Sequence, residues 1–287
     1  MYVLKILILG GNGMIGHQLY NSWKDNHEVK VTLRDNYEQY SHHMIFRKQD
    51  IFEKIDVRAI EILKQTIIKA EPEVIVNAVG ITKKNVKIDT GLTKKINSKF
   101  PHSLSEICSS NKIRLIHLSS DCVFSGKKGN YSEKDIKDAE DTYGVSKSEG
   151  EIDMSNVLTI RKSTIGFELN NKHGLLEWFL SQSGDVFGYT NAIFTGLTTR
   201  ELAKKLIYII ENQKNLSGIL HLIGEKIDKY SLLKKVKKIF KIKNVNVIPS
   251  SDFMCDRSLE GEKILKVFKY DIPSWDDMLE EMYNLKN

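Results

Sequence analysis

Apolar residues along this chain alternate between short continuous runs and stretches with helical spacing. The continuous runs predict strands, which occupy Lys5–Leu9, Val29–Leu33, Val74–Val79, Ile113–Leu118 and Val157–Ile160, with a weaker strand at Met44–Gln49. The amphipathic stretches predict helices at about residues 14–24, 57–70 and 90–109 and around Tyr143. Strands that alternate with helices form right-handed βαβ units, so the pattern predicts an α/β fold with a doubly wound parallel sheet.

The alternation becomes less regular after about residue 165. The later segments predict helices at residues 173–183, 198–213, 227–240 and 275–284, with a short strand at residues 218–223. We therefore predict a dinucleotide-binding Rossmann domain over residues 1–165 and a smaller mixed α/β substrate-binding lobe over residues 166–287. We leave open that segments near residues 190–215 return to the first domain.

Charge and composition narrow the classes of function. The 287 residues carry a formal net charge of +6, but the basic residues are scattered among acidic and apolar ones. A nucleic-acid-binding protein concentrates such charge on one stripe or module, so we expect no nucleic-acid partner. No apolar run is long enough to span a membrane, and the N-terminus enters a strand pattern at once. We therefore expect a cytoplasmic protein without a membrane partner.

The three cysteines (Cys108, Cys122 and Cys255) are odd in number and widely spaced. They lack the spacing of metal ligands and have no histidine arrangement that would support a nucleophilic role. We expect reduced thiols and no metal site.

A glycine-rich turn follows the first predicted strand and opens the first predicted helix. The turn contains Gly10, Gly13 and Gly16, with Asn12, Met14 and Ile15 between them. Glycines let such a turn close, let the backbone approach a pyrophosphate and let the helix pack on the strand. The helix N-terminus adds amide donors and the positive end of its dipole. The sequence therefore predicts a dinucleotide site formed by residues 10–16.

The end of the second predicted strand bears on the choice of dinucleotide. It reads Thr32-Leu33-Arg34-Asp35. A guanidinium pairs well with a 2′-phosphate, whereas an acid binds a free ribose hydroxyl. Arg34 therefore favours NADP(H) as the cofactor. Asp35 keeps NAD(H) as an alternative cofactor.

Two further segments are predicted to line the cofactor. Asp50 and Ile51 follow the weak third strand, where a carboxylate and an apolar residue would lie beside an adenine. Ligands of doubly wound sheets bind outside the carboxyl ends of the strands, where the strand order reverses. Asn77, Ala78, Val79 and Gly80 end the fourth strand and should flank that crevice together with the Gly10 turn.

The candidate chemistry comes from Tyr143, Lys147 and Ser120. Tyr143 and Lys147 are four residues apart, so on a helix their side chains share a face. A free tyrosine has a pKa of about 10, and a nearby cation lowers it toward the range of a useful general acid. Ser120 follows the fifth strand and adds a hydroxyl.

These motifs are similar to those of the extended short-chain dehydrogenase/reductases. The Gly-x-x-Gly-x-x-Gly turn, the Ser119–Phe124 segment and the Tyr143–Lys147 step most closely resemble the dTDP-4-dehydrorhamnose reductase-like branch. The resemblance implies an NADPH-dependent reductase of a nucleotide-diphospho-4-keto-6-deoxy sugar that serves surface-polysaccharide synthesis. By position, Ser120 would hold the carbonyl oxygen and Tyr143 would donate a proton to it. Lys147 would hold the nicotinamide ribose and lower the pKa of Tyr143.

The resemblance also implies a set of substrate-binding residues, with one departure from the usual pattern. The branch has Ser-Thr-Asp-Tyr-Val-Phe where this chain has Ser120 for threonine and Cys122 for tyrosine. The first change keeps the hydroxyl, and the second removes an aromatic wall. The implied substrate-binding residues are Asp121, Cys122, Trp178, Tyr189, Asn191 and Arg257.

Two interpretations fit some of these residues. Trp178 fits core packing as well as sugar contact. Arg257 would lie near the diphosphate or make a surface salt bridge. Tyr189 and Asn191 are placed in a polar-aromatic loop.

Two other functions stay open at this stage. Asp121, an acid beside Ser120, also fits an epimerase or dehydratase of the same superfamily. Some relatives of the branch are non-catalytic dinucleotide-binding subunits that regulate a partner, although intact Ser120, Tyr143 and Lys147 argue against that role here. The sequence leaves the sugar, the nucleotide and a homodimeric state undecided.

Overall fold

The computed structural model describes residues 2–82, 89–170, 172–267 and 271–285. Its largest sheet has seven strands. The sheet consists of β1 (Lys5–Leu9), β2 (Glu28–Thr32), β3 (Ile51–Phe52), β4 (Val74–Asn77), β5 (Arg114–Leu118), β6 (Val157–Arg161) and β10 (Gly218–His221). Its order is β10-β6-β5-β4-β1-β2-β3, and the pairings from β6 to β3 are parallel. The predicted doubly wound α/β fold is confirmed.

The strands of this sheet are rich in apolar residues because helices cover both of its faces. All four residues of β4 are buried, and Leu7, Ile75 and Leu115 belong to one core cluster. The helices are α1 (Gly16–Trp23), α2 (Ile60–Ala70), α3 (Thr90–Thr93), α4 (Phe100–Ser110), α5 (Thr142–Glu149), α6 (Leu175–Leu180), α7 (Thr199–Asn212), α8 (Lys229–Ile239), α9 (Glu262–Val267) and α10 (Trp275–Asn284).

The helix predicted over residues 90–109 is continuous but not uniform. A π-helical segment, Lys94–Lys99, joins α3 to α4. Such wide turns are frequent at functional sites. Here the segment carries the buried Asn97, whose contacts are described below.

The strand predicted at Met44–Gln49 is wrong. The chain instead forms short 3-10 turns at Ser41–His43 and Lys48–Asp50, and the third strand begins at Ile51. Local contacts explain the difference, because buried Phe46 packs 5.3 Å from the Tyr20 ring and the Arg47 amide donates to the Tyr20 hydroxyl. Asp50 therefore precedes the third strand instead of following it.

A second sheet in the later part of the chain was not predicted. It consists of β11 (Ile227–Asp228), β8 (Gly184–Phe194) and β12 (Val245–Asp256), in the order β11-β8-β12, and a two-stranded sheet pairs β7 (Thr164–Ile165) with β9 (Leu197–Thr198). The loop assigned to Tyr189 and Asn191 is wrong, since both lie in β8. Exposed polar residues and glycines interrupt the apolar alternation of β8, so its sequence resembles a loop.

The chain divides into two compact units. The first unit comprises Met1–Ser119, Asp141–Ile160 and Ala203–Ile219, and the second comprises Ser120–Glu140, Arg161–Leu202 and Leu220–Asn287. The single boundary near residue 165 stays a prediction. Within the described ranges, no helix has both the length and the apolar character that crossing a membrane requires.

Candidate functional site

In the glycine turn of the first unit, Gly10 and Gly16 could not carry a side chain without strain. Gly10 has φ of +82°, a left-handed conformation that favours glycine, and its amide donates to Thr32 Oγ1 at 3.1 Å. A Cβ on Gly16 would lie 2.1 Å from the Gly10 carbonyl oxygen. These two glycines therefore let α1 begin directly against the end of β1.

Gly13 is different because the protein's own packing leaves space there. A Cβ on Gly13 would meet the Gly10 oxygen at 3.4 Å, an ordinary contact, and Gly13 is exposed. Asn12, Met14 and Ile15 beside it are half-buried. A bare backbone in front of a helix N-terminus fits the pyrophosphate of a dinucleotide.

Arg34 and Asp35 differ in their contacts with other side chains. The Asp35 carboxylate accepts a hydrogen bond of 2.9 Å from the Tyr40 hydroxyl. This hydroxyl itself accepts a hydrogen bond of 3.0 Å from Nδ2 of the Asn12 side chain. Burial raises the pKa of Tyr40, which keeps this hydroxyl a donor. The Arg34 side chain is 72% exposed, with its Nε 3.9 Å from Asp35. Its guanidinium is therefore accessible to a phosphate group.

Asp50 makes contacts inside the first unit. Its carboxylate accepts a hydrogen bond of 2.8 Å from the Tyr20 hydroxyl and lies 3.4 Å from the Lys30 ammonium. Ile51, half-buried, pairs with Val31 of β2. The role of Asp50 and Ile51 beside an adenine stays a prediction.

The turn after β4 lies against the glycine turn, where the strand order reverses. The Ala78 amide donates to the Leu9 carbonyl at 3.1 Å, and the Asn77 side chain accepts from the Val79 amide. A Cβ on Gly10 would lie 3.0 Å from Val79 Cγ2. The two turns thus flank the reversal between β1 and β4 as the sequence predicts, with the half-exposed Ala78 and exposed Gly80 near it.

Tyr143 and Lys147 lie on α5, one helical turn apart. Asp141 caps this helix, since its side chain accepts from the Gly144 amide at 2.9 Å. Tyr143 is half-buried, whereas Lys147 is only 4% exposed and donates from Nζ to the Leu118 carbonyl at 2.8 Å. The ammonium is therefore anchored at the carboxyl end of β5, on the helix face that carries Tyr143.

Asn97 is a positioning residue that the sequence reasoning missed. Its side chain accepts from the Ile81 amide at 2.8 Å and donates to the Ile81 carbonyl at 3.0 Å and to Ser146 Oγ at 3.1 Å. It joins the chain after β4, the π-helical segment and the Tyr143 helix. A Cβ on Gly150 would lie 1.9 Å from the Asn97 carbonyl oxygen, so glycine closes the same junction. The sequence signal that could have identified Asn97 is a polar residue at an apolar position of the predicted helix.

Replacing Asn97 with alanine is expected to lower the free energy of unfolding by about 1–3 kcal/mol, because it leaves partly buried backbone groups of Ile81 without partners. Urea denaturation measures the change. Ser98→Ala is the control, since it removes one hydrogen bond to the Ser146 carbonyl and should cost less. Equal losses in the two variants would contradict a junction held by Asn97.

The second unit begins with Ser120 and contains the other half of the predicted chemistry. Ser120 is buried, its hydroxyl donates to Asp121 Oδ1 at 3.0 Å, and it accepts from the Cys122 amide at 3.1 Å. The Asp121 amide donates to the Lys162 carbonyl at 3.2 Å. Asp121 therefore orients the Ser120 hydroxyl, while Lys162 holds the backbone of this segment.

Arg257 joins the same segment. Its Nε donates to the Phe124 carbonyl at 2.8 Å, and its Nη1 lies 3.6 Å from Cys122 Sγ. The structure thus brings together Asp121, Cys122 and Arg257 of the predicted substrate-binding residues.

The other predicted substrate residues are not joined to this group. Trp178 is half-buried on α6, next to fully buried Phe179, and Tyr189 packs 5.4 Å from the Phe253 ring. Asn191 is exposed on the same face of β8 as Tyr189. Among the described residues, no hydrogen bond or ring contact links these three side chains to Arg257. Their contact with a substrate stays a prediction.

Comparison with known proteins identifies a matching family model and several relatives. The family model described as the RmlD substrate binding domain matches residues 4–286. A dTDP-4-dehydrorhamnose reductase of Aggregatibacter actinomycetemcomitans is 26% identical over 233 residues, which cover 77% of this chain and 74% of that protein. The methionine adenosyltransferase 2 subunit beta of Bos taurus is 26% identical over 150 residues, 51% of this chain and 41% of that protein.

A solved structure shares the fold along the whole length. The dTDP-4-dehydrorhamnose reductase of Bacillus anthracis, in complex with NADP, superposes with a TM-score of 0.81 at 18% identity. The match covers 99% of this chain and 100% of that one. At this identity the likeness concerns the fold.

Proposed function

This chain belongs to the RmlD substrate binding domain family, and we propose that it is an NADPH-dependent reductase of a nucleotide-diphospho-4-keto-6-deoxy sugar. The observation that carries the proposal is Lys147, buried and anchored at the end of β5 one turn after Tyr143. The reductase name of the Aggregatibacter relative and the NADP of the Bacillus structure support the substrate class and the cofactor. Surface-polysaccharide synthesis in the cytoplasm is the proposed setting.

In the proposed reaction each residue has one task. A bound reduced nicotinamide would supply the hydride for the ketone carbon. The Ser120 hydroxyl, whose single hydrogen is donated to Asp121 in the structure, would turn that hydrogen to the carbonyl oxygen and hold it there. Tyr143 donates its phenolic proton to that oxygen, so the ketone becomes an alcohol. Lys147 binds the nicotinamide ribose and favours the resulting phenolate by its positive charge.

The dinucleotide would be held by the glycine turn. Gly10 and Gly16 shape the turn, Gly13 leaves the backbone open to the pyrophosphate, and Asn77–Gly80 borders the nicotinamide half. Asp50 and Ile51 are proposed for the adenine. These assignments come from the bare backbone at Gly13 and from the reversal of strand order between β1 and β4.

A panel of nucleotide-linked keto sugars tests the proposal. Each sugar is mixed with the full-length protein and NADPH or NADH, and loss of the absorbance of the reduced cofactor is followed. Oxidation of NADPH by a 4-keto-6-deoxy sugar is expected. A panel in which no sugar oxidises either cofactor would contradict the reductase proposal.

A non-catalytic regulatory subunit is the second candidate because of the methionine adenosyltransferase relative. That match spans only about half of this chain and less than half of the relative. Absence of turnover together with co-purification of a partner enzyme would favour it. An epimerase or dehydratase would instead retain stoichiometric nicotinamide through purification. The homodimeric state is tested by sedimentation.

Replacing Arg34 with glutamine is expected to raise the KM for NADPH at least about tenfold and to leave the KM for NADH unchanged. A hydrogen bond to a charged group contributes about 1.5–3 kcal/mol, and about 1.4 kcal/mol corresponds to a factor of ten. Steady-state kinetics with both cofactors measure the effect. Lys64→Gln, which removes an exposed charge paired with Glu61 on α2, is the control and should change neither KM. Parallel changes for NADPH and NADH would exclude a 2′-phosphate contact.

A further inference from the structure

Tyr131 is a buried residue of the second unit that the proposed mechanism does not use. It is only 2% exposed, and it follows a loop, residues 125–130, that leads away from the segment beginning with Ser120. We propose that Tyr131 is a positioning residue whose hydroxyl fixes this loop and, through the loop, the side chain of Arg257. The inference rests on the proposed function only in taking Arg257 and Cys122 to be substrate contacts. Tyr131 was not among the residues predicted from the sequence.

The loop of residues 125–130 has an irregular backbone. Gly126, Gly129 and Asn130 have φ of +89°, +71° and +45°, all in the left-handed region. The structure describes all six residues of the loop and assigns none of them to a helix or a strand. Backbone amides that are withdrawn from water need an acceptor, so those of this loop depend on side chains.

The Tyr131 hydroxyl is the acceptor for two of these amides. It accepts from the Gly126 amide and from the Lys128 amide, each at 3.1 Å. Its own hydrogen points to Ser125 Oγ, 3.4 Å away, because Ser125 has a single hydroxyl hydrogen and donates it to Asp138 at 2.6 Å. The phenol is therefore both acceptor and donor in a network that closes the loop.

The Tyr131 ring attaches the end of the loop to its beginning. It stacks on the Phe124 ring, with 4.1 Å between the ring centres and 9° between the planes. The Arg161 guanidinium lies 5.0 Å from the centre of the same Phe124 ring, and the His221 ring meets it edge-on at 6.1 Å. Because this packing holds the Tyr131 ring in place, its hydroxyl oxygen has a fixed position above the loop amides.

Arg257 lies against the closed loop. Its Nε donates to the Phe124 carbonyl at 2.8 Å. A Cβ on Gly126 would lie 3.2 Å from Arg257 Cγ, so the loop backbone packs directly on the arginine side chain. The Tyr131 amide donates to the Ser258 carbonyl at 2.9 Å, which holds the chain just after Arg257 as well. The direction of the Arg257 side chain therefore depends on the shape of the loop.

Tyr131→Phe removes the hydroxyl acceptor and keeps the ring that stacks on Phe124. The Gly126 and Lys128 amides lose their partner, and we expect their hydrogen exchange to accelerate at least about fivefold through local opening. The Asp256 amide donates to the Gly126 carbonyl at 2.8 Å, so its exchange should accelerate as well. Hydrogen–deuterium exchange of the full-length protein, followed in peptides that cover residues 124–131 and 254–260, measures both changes.

Steady-state kinetics test the consequence for the substrate. With the keto sugar that the panel identifies, Tyr131→Phe should raise the KM at least about threefold and keep kcat within about twofold, the pattern of a lost binding contact. The affinity for NADPH should stay unchanged, because the glycine turn is untouched. A merely structural loss would instead lower kcat through a smaller folded fraction and leave the KM for the sugar as it was.

Tyr230→Phe is the matched control, because Tyr230 is a half-buried tyrosine of the same unit whose hydroxyl has no hydrogen bond to any residue that the structure describes. It should change neither exchange nor KM. Thermal melts verify folding, and Ser125→Ala, which removes the acceptor of the phenolic hydrogen, replaces Tyr131→Phe if that variant does not fold. Unchanged exchange in both peptides, or faster exchange with an unchanged KM, would overturn the proposal. If no keto sugar is turned over, the proposed function fails, whereas exchange still decides whether Tyr131 fixes the chain around Arg257.

Discussion

Replacing Tyr143 with phenylalanine is expected to reduce kcat by about 10²–10⁴-fold, the range that a positioned general acid contributes. The substitution removes one oxygen atom and keeps the ring. Tyr143 is half-buried near the start of α5, and the substitution leaves the backbone and the Asp141 cap of that helix unchanged. The affinity for NADPH should stay unchanged, because the glycine turn and Lys147 are untouched.

The reason for so large an effect is that hydride addition leaves negative charge on the carbonyl oxygen. Without a proton donor, that charge must be stabilised by Ser120 alone. Lys147 is not expected to replace the phenol as donor, because one of its N–H groups is donated to the Leu118 carbonyl at 2.8 Å and the others are assigned to the nicotinamide ribose. The loss should therefore appear in the chemical step and not in substrate binding.

Single-turnover oxidation of NADPH measures that step, and fluorescence titration measures cofactor affinity. Tyr208→Phe is the control, since Tyr208 is a 42% exposed tyrosine on α7 of the same unit. Retention of full activity in Tyr143→Phe would exclude the tyrosine as the acid. Equal losses in both variants would point to a general effect on folding.

The second large effect is expected from Gly16→Ala, which should destabilise the first unit by about 1–3 kcal/mol or more and abolish cofactor binding. The added Cβ would lie 2.1 Å from the Gly10 oxygen and 3.0 Å from Gly11 Cα. All of these are backbone atoms, so no side chain can rotate away. Either α1 moves off β1 or the turn opens, and both changes displace the amide groups that face the pyrophosphate.

Gly13→Ala separates stability from binding. Its Cβ would meet the Gly10 oxygen at 3.4 Å, so the free energy of unfolding should stay within about 0.5 kcal/mol of the original, the usual range for a surface substitution. NADPH affinity should nevertheless fall, because the methyl group enters the space proposed for the phosphates. Urea denaturation and cofactor titration of both variants provide the comparison. Unchanged NADPH affinity in Gly13→Ala would contradict the proposal that the phosphates bind at this turn.

Much of the first unit could be predicted because its strands are buried on both faces. Such strands must be continuous apolar runs, and β1 was predicted with its observed bounds, Lys5–Leu9. The helix Trp275–Asn284 was also predicted with its observed bounds, since its apolar spacing is regular. The weak strand failed at Met44–Gln49, where buried Phe46 and Arg47 attach to Tyr20 instead of entering the sheet.

The second unit was harder to predict because β8 and β12 expose one of their faces. Residues such as Tyr189 and Asn191 then make a strand resemble a loop. The pairing of β8 with β12 also shifts register between Ser250 and Met254, so even a correct strand assignment would not have specified which residues meet.

The sequence by itself determined the doubly wound fold, the glycine turn and the helical spacing of Tyr143 and Lys147, because each depends on residues close together in the chain. Only the tertiary structure decided that Asn97 joins the Tyr143 helix to the chain after β4. It also decided that Arg257 reaches the segment that begins with Ser120. These residues are separated by tens of positions, and their meeting depends on strand pairing and register, which local patterns do not encode.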